Sequence, residues 1–355
     1  MRRLSPETHT LYAELVDQLT ALEARRSIGS LKGSFTVKNV KGGTYYYFQH
    51  VGLNGALRQI YLGRRSAALD GLAARYKAEK AFFQPDLERV KKLCAQIRAG
   101  GGLYADAAHA KVLSALAAGG VFRLGGVLVG THAFAAMGNM LGVNWETALK
   151  TQDIDIAASR TVNIAFPIGK TDVPAALENL KMGFLPVPQL DHKNPSTSFR
   201  VRGSTLMVDV LTPGNGEALK PVFIPALNTA AQPLPYLGYL MEATERAAVV
   251  SGEGALVNVP SPARFALHKL IISRLRPAAM QAKVQKDLAQ AEFLLGILAE
   301  DRPGDIMVAY EAVMARGPSW AGRLKKGLAA FSVKYPEEYK KILSAAPNFG
   351  NGGRG

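Results

Sequence analysis

Three aspartates stand out because each lies among apolar, β-favouring residues in the middle of the chain. Asp153 and Asp155 are separated by one isoleucine, and Asp209 stands between two valines. Side chains two positions apart on a strand leave the same face, so we expect the pair to point one way while the isoleucines face a core. If Asp209 lies on a neighbouring strand, three carboxylates converge at one edge of a sheet.

Carboxylates gathered in this way need a cation, because like charges at short distance repel strongly. Hard divalent ions with oxygen ligands suit such a site, and Mg²⁺ keeps coordination positions for water and substrate phosphates. The pattern therefore predicts that Asp153, Asp155 and Asp209 bind a hard divalent ion such as Mg²⁺. The alternative for each aspartate is a capping or turn role.

A glycine-threonine pair precedes the aspartates. The apolar run Val127-Leu-Val129 predicts a strand that ends at Gly130-Thr131 and continues as a helix. Such a turn lets backbone N–H groups and the helix dipole meet a phosphate, and Thr131 adds a hydroxyl. His132 follows directly, and it is either a further phosphate contact or a half-buried helix histidine.

In this order, Gly130-Thr131, Asp153-Ile-Asp155 and Asp209 resemble the nucleotidyltransferase superfold of polymerase β-type enzymes. That family carries a Gly-Ser or Gly-Gly turn, an Asp-x-Asp pair and a third carboxylate on a later strand, so Thr131 is a departure from its pattern. Four blocks resemble a bacterial group allied to abortive-infection toxins: Leu128-Val-Gly-Thr-His-Ala-Phe134, Thr151-Gln-Asp-Ile-Asp-Ile156, Pro262-Ala-Arg-Phe-Ala-Leu-His-Lys269 and Lys286-Asp-Leu-Ala-Gln-Ala291. The resemblance covers residues 103–299.

The resemblance implies a role for each acidic residue and for three cations. Asp153 and Asp155 would hold the metal ions against a nucleoside triphosphate, and Asp209 would act on the acceptor hydroxyl. The positively charged Lys269, Arg274 and Lys286 would face the β- and γ-phosphates from the C-terminal helices. The alternative for these three is that they are solvated helix charges.

Composition bounds the class of protein. The chain has 355 residues and 48% hydrophobic residues, enough for a sizeable core, and its one cysteine fits a reducing compartment. The sequence shows no apolar signal core and no run of about 18 apolar residues. We therefore expect a cytoplasmic protein with no membrane partner. Gly125-Gly-Val-Leu-Val-Gly130 lacks the glycine order of a dinucleotide-binding turn.

The formal net charge of +15 favours polyanionic partners. Residues 1–100 hold 17 basic and 8 acidic side chains, and residues 35–62 predict a three-stranded meander in which tyrosines alternate with lysines and arginines. Aromatic faces with cations suit single-stranded or looped nucleic acid. The alternative is that the aromatics pack on a helix or coat the surface.

The predicted fold class is α+β. A minimal nucleotidyltransferase mixed sheet is preceded by a small antiparallel sheet with helices and followed by a helical region. We predict an N-terminal unit at 1–100, a nucleotidyltransferase core at 101–259, a helical domain at 260–345 and a disordered tail at 346–355. A break at Gln84-Pro85 and one final helix over 319–343 are also expected.

These observations predict a metal-dependent transferase that moves a nucleoside monophosphate from a triphosphate to an acceptor hydroxyl. The leading acceptor is RNA with a tRNA-like end, held by the N-terminal sheet. The resemblance also suggests a toxin of a toxin-antitoxin or phage-defence system with a cognate antitoxin. One alternative is transfer to a protein or small-molecule hydroxyl, and another is an inert nucleic-acid-binding module.

Overall fold

A computed structural model describes residues 1–31, 33–51, 57–146, 153–159, 171–214 and 220–350. Within those ranges the chain forms eleven α-helices and fourteen strands, which confirms the predicted α+β class. None of the described helices is long and apolar enough to cross a bilayer. Residues 52–56 of the predicted meander and the first two residues of the Thr151–Ile156 block lie outside the described ranges.

The N-terminal region contains the predicted meander between two helices. Its elements are β1 (Arg2–Arg3), α1 (Pro6–Ala24), β2 (Ser34–Val40), β3 (Gly43–Val51), β4 (Leu57–Arg64) and α2 (Ala67–Ala99). The strands β2, β3 and β4 pair antiparallel in chain order. The break expected at Pro85 was wrong, because α2 continues through it. Phe83 and Val90, on either side of the proline, are both buried and anchor the helix.

The core elements follow the order that the sequence predicted, with additions. They are α3 (Ala107–Gly119), β5 (Val127–Val129), α4 (Gly130–Met140), β6 (Val143–Asn144), β7 (Asp153–Ala157), α5 (Val173–Asn179), β8 (Phe184–Pro186), β9 (Ser198–Val201), β10 (Met207–Pro213), β11 (Val222–Ile224), β12 (Thr229–Leu234), α6 (Leu237–Met241), β13 (Thr244–Val249) and β14 (Ala255–Pro260). Asp172 caps α5 by accepting from the Ala175 N–H, as its position indicated.

Seven of these strands form one mixed sheet. Its main path is β11-β12-β10-β7-β5, and β9 pairs with β10 and with β8. β10 runs parallel to β7 and β12, whereas β5 runs antiparallel to β7. The central strands therefore lie side by side although 49 residues separate the last residue of β7 from the first of β10. This pairing is what sets the acidic residues next to each other.

The hairpin of β13 and β14 joins two hydrophobic clusters. Ala247 and Val249 belong to the large cluster around the sheet, whereas Ala248 and Val250 belong to a second cluster with α1 and α2. Successive strand residues point to opposite faces, which explains the alternation. Short β1 also pairs antiparallel with β6. The N-terminal helices thus pack directly on the core.

The C-terminal region is helical. It comprises α7 (Pro262–Ser273), α8 (Gln281–Asp301), α9 (Pro303–Met314), α10 (Pro318–Lys334) and α11 (Pro336–Ala345). The single final helix predicted over 319–343 is two helices, because Pro336 lacks the N–H that would continue α10. The tail expected from 346 is packed as far as 350, since Phe349 is fully buried against Tyr310. Residues 351–355 lie outside the described ranges.

Candidate active site

Two adjacent strands bring the acidic residues together. In the parallel pair of β7 and β10, Asp155 and Asp209 are direct Cα partners, and Asp153 lies two residues earlier on β7. All three are partly exposed, whereas Ile154, Ile156 and their neighbours on β10 are buried. The carboxylates therefore leave the same face of the sheet, as the period-two pattern predicted.

Gly130 touches this acidic face. β5 is antiparallel to β7 with Val129 opposite Asp155, so the first residue of α4 comes next to the carboxylate. Gly130 has φ +69°, and a Cβ there would lie 2.2 Å from the Asp155 Oδ2. Only glycine fits both the left-handed backbone and this close approach. The turn and the acidic pair are therefore one site.

The carboxylates are held where their charge is unfavourable. Burial, then repulsion from Asp209 and Asp153, raises the pKa of Asp155 to about 6, although Lys269 and Lys286 act in the opposite direction. Burial likewise raises the pKa of Asp209, despite a hydrogen bond from Ser198, its cross-strand partner on β9. Such a pair gains stability from any nearby cation.

The donor chemistry of this face fits a hard divalent ion, since carboxylate oxygens are the ligands that Mg²⁺ prefers. Across the described residues, however, no three His, Cys, Asp or Glu side chains are arranged so that they could hold a metal ion as they stand. The electrostatic strain on Asp155 and Asp209 is the feature that favours a cation here. Metal ligation by Asp153, Asp155 and Asp209 remains a proposal.

Lys286 reaches the glycine-threonine turn from the C-terminal helices. Its Nζ on α8 donates to the Thr131 Oγ1 at 2.9 Å, across 155 residues of sequence. Burial, then the nearby charge of Lys269, lowers the pKa of Lys286. Lys286 therefore adds a cation beside the turn and next to the acidic face, and its contact with phosphate stays a prediction.

Lys269 is held by Asp287, which belongs to the Lys286–Ala291 block but was given no role in the site from sequence. Asp287 on α8 accepts from Lys269 at 2.9 Å and from Arg276 at 2.7 Å, and its side chain is 3% exposed. Although burial raises the pKa of Asp287, Lys269 and Arg276 outweigh it and hold that pKa below its usual value. The pairing of Asp287 with Lys269 and Arg276 could not be predicted from the sequence, because it depends on how α7 crosses α8.

Arg274 is not brought to this cluster. It is exposed where α7 ends, and no side-chain hydrogen bond or ion pair joins it to another described residue. Lys283, near the start of α8, is the cation that acts on Asp209. Lys283 lies one helical turn before Lys286, and that spacing is the signal in the sequence that would have indicated it.

His132 lies on the side of α4 that faces α3. Its ring is 4.7 Å from the ring of His109, centroid to centroid. Burial, reinforced by His109, lowers the pKa of His132 to about 4. The imidazole is therefore neutral near pH 7 and offers a phosphate no positive charge, unlike Lys286.

A mixed sheet that sets carboxylates beside a glycine-containing turn is the arrangement expected of nucleotide-transferring enzymes. Residues 107–315, more than half of the chain, match the model of a protein family described as Nucleotidyltransferase. The chain belongs to this nucleotidyltransferase family, whose chemistry is the transfer of a nucleoside monophosphate. No curated protein and no solved structure matches the chain.

Proposed function

We propose that this chain is a metal-dependent enzyme that moves a nucleoside monophosphate from a nucleoside triphosphate to an acceptor hydroxyl, with release of pyrophosphate. The observation that supports this most is the direct pairing of Asp155 with Asp209, in contact with the turn at Gly130. The acidic pair can bind cations, and the adjacent strand-to-helix turn can bind a phosphate, so both groups would lie at one site.

In this proposal, the acceptor hydroxyl attacks the α-phosphorus in line with the leaving pyrophosphate. Asp153 and Asp155 would hold Mg²⁺, as two ions, or Mn²⁺, and the bound metal would supply charge neutralisation for the attacking and leaving oxygens. Asp209 lies on the acceptor side and takes the hydroxyl proton, for which its raised pKa is suited. Holding the acceptor hydroxyl and the triphosphate in the correct geometry also accelerates the reaction.

The triphosphate would lie at the N-terminus of α4. Backbone N–H groups after Gly130 and the Thr131 hydroxyl contact its oxygens, and Lys286 adds positive charge. Lys269 contributes through its charge, because Asp287 fixes its ammonium group. Arg274 and His132 were proposed as phosphate contacts from sequence; the exposed Arg274 would have to move inward, and neutral His132 could only hydrogen-bond.

RNA is the acceptor that we favour. On the outer face of the N-terminal sheet, the rings of Tyr45 and Tyr47 lie 6.1 and 5.5 Å from that of Tyr61, and Lys38 Nζ lies 5.0 Å from the Tyr47 ring. An exposed row of rings with cations is suited to stacking unpaired bases. The blocks resembling abortive-infection toxins favour a toxin role, with an antitoxin as partner, and the single buried cysteine fits the cytoplasm.

The test is incubation with each labelled triphosphate, Mg²⁺ and total RNA. We expect label in RNA with the wild-type chain and none with the Asp153→Ala/Asp155→Ala double variant. Label in protein or in a small molecule would instead support the alternative acceptor. RNA retention on a filter that is equal in both chains, with no label in any fraction, would support an inert nucleic-acid-binding module.

A further inference from the structure

A cavity of about 280 Å³ is lined by one side of α4, including Thr131 of the glycine-threonine turn. Its walls come from α4, the start of α3, β13 and the segment that precedes α3. Leu103, Ala135 and Val249 make much of the wall apolar, while Asp106, His109 and His132 supply polar atoms. Small-molecule sites are concave and mostly apolar, with a few convergent polar groups. The wall of this cavity is likewise mostly apolar with a few polar groups, and its volume is close to the lower limit for such sites, roughly 300 Å³.

His109 lies in the wall of the cavity and carries a buried, unsatisfied nitrogen. Its Nδ1 lies 2.5 Å from the Asp106 Oδ2, and its Nε2 is buried with no hydrogen-bond partner among the described residues. Burial raises the pKa of Asp106, but the backbone N–H and the imidazole of His109 outweigh this and lower it. The ionised carboxylate only accepts, so Nδ1 carries the hydrogen, and Nε2 is the ring nitrogen left for another partner.

His132 adds a second such nitrogen. Its Nε2 is likewise buried and has no partner in the part of the chain that the structure describes. A neutral imidazole has one donor and one acceptor nitrogen, and buried polar atoms are normally satisfied. Two adjacent rings with free Nε2 atoms therefore form an incomplete hydrogen-bonding edge. A planar heterocycle carrying neighbouring donor and acceptor groups would complete it.

The cavity and the proposed phosphate site have Thr131 in common. The Thr131 side chain lines the cavity, and its hydroxyl is also the acceptor for Lys286. Thr131 directly follows Gly130, which approaches Asp155. A ligand with a heterocycle in the cavity and a phosphate at the turn would have the two ends of a nucleotide.

The mouth of the cavity carries an aromatic ring with a cation. Tyr104 lines the cavity and is 38% exposed, and the Arg98 guanidinium lies 4.5 Å from its ring centroid. The same two residues line a neighbouring groove with Lys91 and Ser251. Stacking on an aromatic ring beside a positive charge is how proteins hold a base with an attached phosphate.

We infer that this cavity binds a nucleobase, with its polar edge against His109 and His132. The base belongs either to the donor triphosphate or to the end of the acceptor strand. This inference rests on the proposed function, because the proposed nucleotidyl transfer is the reason to expect a nucleotide as the ligand. Its test measures binding without transfer, so either claim can fail alone.

The experiment is calorimetric titration of the full chain with adenosine, guanosine, cytidine and uridine, and separately with inorganic tripolyphosphate and Mg²⁺. The variant Ala135→Phe fills the cavity without touching the acidic face. We expect at least one nucleoside to bind the wild-type chain and to bind Ala135→Phe at least roughly tenfold more weakly, with tripolyphosphate binding unchanged. Ala329→Phe, on the exposed side of α10, is the matched control and should behave like the wild type.

His132→Phe provides a second variant, because it keeps a ring in place and removes only the hydrogen bond. We expect roughly tenfold weaker nucleoside binding from the loss of one such bond and the unpaired edge that it leaves. The inference is overturned if no nucleoside binds the wild-type chain. It is also overturned if a folded Ala135→Phe or His132→Phe chain binds nucleosides as the wild type does.

Competition distinguishes the two sources of the base. If the matching triphosphate displaces the bound nucleoside and tripolyphosphate does not, the cavity holds the donor base. If the nucleoside stays bound with the triphosphate and is displaced by an oligonucleotide ending in that base, the cavity holds the acceptor end. Displacement by neither ligand contradicts a nucleobase site.

Discussion

Asp155 carries the clearest electrostatic signature of the chain. Burial and two neighbouring carboxylates raise its pKa to about 6, so the folded state binds a proton that the unfolded state releases. For an acid with a raised pKa, stability is lost as the pH rises from the unfolded value through the folded one. The carboxylate therefore destabilises the metal-free fold above pH 6, in keeping with a functional rather than structural role.

The variant Asp155→Asn should raise the free energy of unfolding at pH 8, measured by urea denaturation in the presence of a chelator. We expect a gain of about 2 kcal/mol, which shrinks as the pH falls and vanishes below about pH 3, where the carboxyl is neutral in both states. Glu311→Gln, on the exposed side of α9, is the control. A loss of stability at pH 8 in Asp155→Asn would show that the carboxylate makes a structural bond instead.

The sequence identified the acidic residues of this site better than its cations. Asp153, Asp155 and Asp209 could be identified from the sequence because β-strand alternation determines which face of the sheet each side chain leaves. Lys269 and Arg274 were proposed as phosphate contacts, but the former is engaged by Asp287 and the latter is exposed. Helix charges depend on the crossing of α7 over α8, which no local pattern specifies.

At the scale of elements, the junction of β5 and α4 determines whether the turn can approach the acidic strand. Gly130 combines φ +69° with contact to Asp155, whereas Gly125 has φ +82° and open space where a Cβ would stand. Substitution of Gly125 would therefore cause backbone strain alone, whereas substitution of Gly130 would cause backbone strain and a steric conflict with Asp155. The comparison tests whether the close approach itself matters.

The variant Gly130→Ala should lose both stability and activity. We expect about 1–2 kcal/mol from the left-handed backbone alone, and a further loss because the added Cβ displaces Asp155. Gly125→Ala should show only the first effect, with activity close to that of the wild type. Equal losses of activity in the two variants would mean that the contact with Asp155 has no part in the reaction.

The sequence predicted the elements that carry the site but missed several that support it. β5, α4, β7 and β10 were visible through apolar runs and alternation. The strand β12 was missed because Ala230, Ala231 and Pro233 have weak β propensity, and pairing with β10 and β11 overrides this. The helices α6 and α9 were also missed, since their burial against α7 is a tertiary effect.

Ala346 and Phe349, which follow α11, contribute to the core rather than to a free tail. Phe349→Ala should lower the free energy of unfolding by about 3 kcal/mol, because it removes a fully buried ring from contact with Tyr310. Chemical denaturation measures this directly. The control Val333→Ala, at a side chain that is 86% exposed, should change stability by less than about 0.5 kcal/mol. An equally small change for Phe349→Ala would contradict this packing and would support the predicted disordered tail.

At the scale of the whole molecule, positive charge and exposed aromatic rings coincide on the N-terminal sheet. The inner rings Phe35, Tyr46 and Phe48 pack together, and Tyr76 of α2 joins them. The outer tyrosines have no such packing role, and Tyr61 is 58% exposed. The structure therefore agrees with the alternative expectation, in which one face packs on a helix and the other tyrosines coat the surface. Binding of nucleic acid by the outer face stays a prediction.

The double variant Tyr47→Ala/Tyr61→Ala should weaken retention of single-stranded RNA by at least roughly tenfold, since stacking contributes about 1–3 kcal/mol per base. Binding of the wild-type chain should also fall as salt increases. A filter assay over a range of salt concentrations measures both effects. Lys340→Ala on α11, far from this sheet in sequence, is the control. Undiminished retention would exclude the sheet as an RNA-binding surface.

The most direct test of the central claim follows a radiolabel on either the α- or the γ-phosphate of a triphosphate. With Mg²⁺ and acceptor present, the wild-type chain should transfer the α-label, release pyrophosphate and never transfer the γ-label. Asp155→Asn and Asp209→Asn should each reduce that transfer by at least about 100-fold. Transfer of the γ-label, or α-label transfer that survives both substitutions, would contradict a nucleotidyl-transferring centre on these two strands.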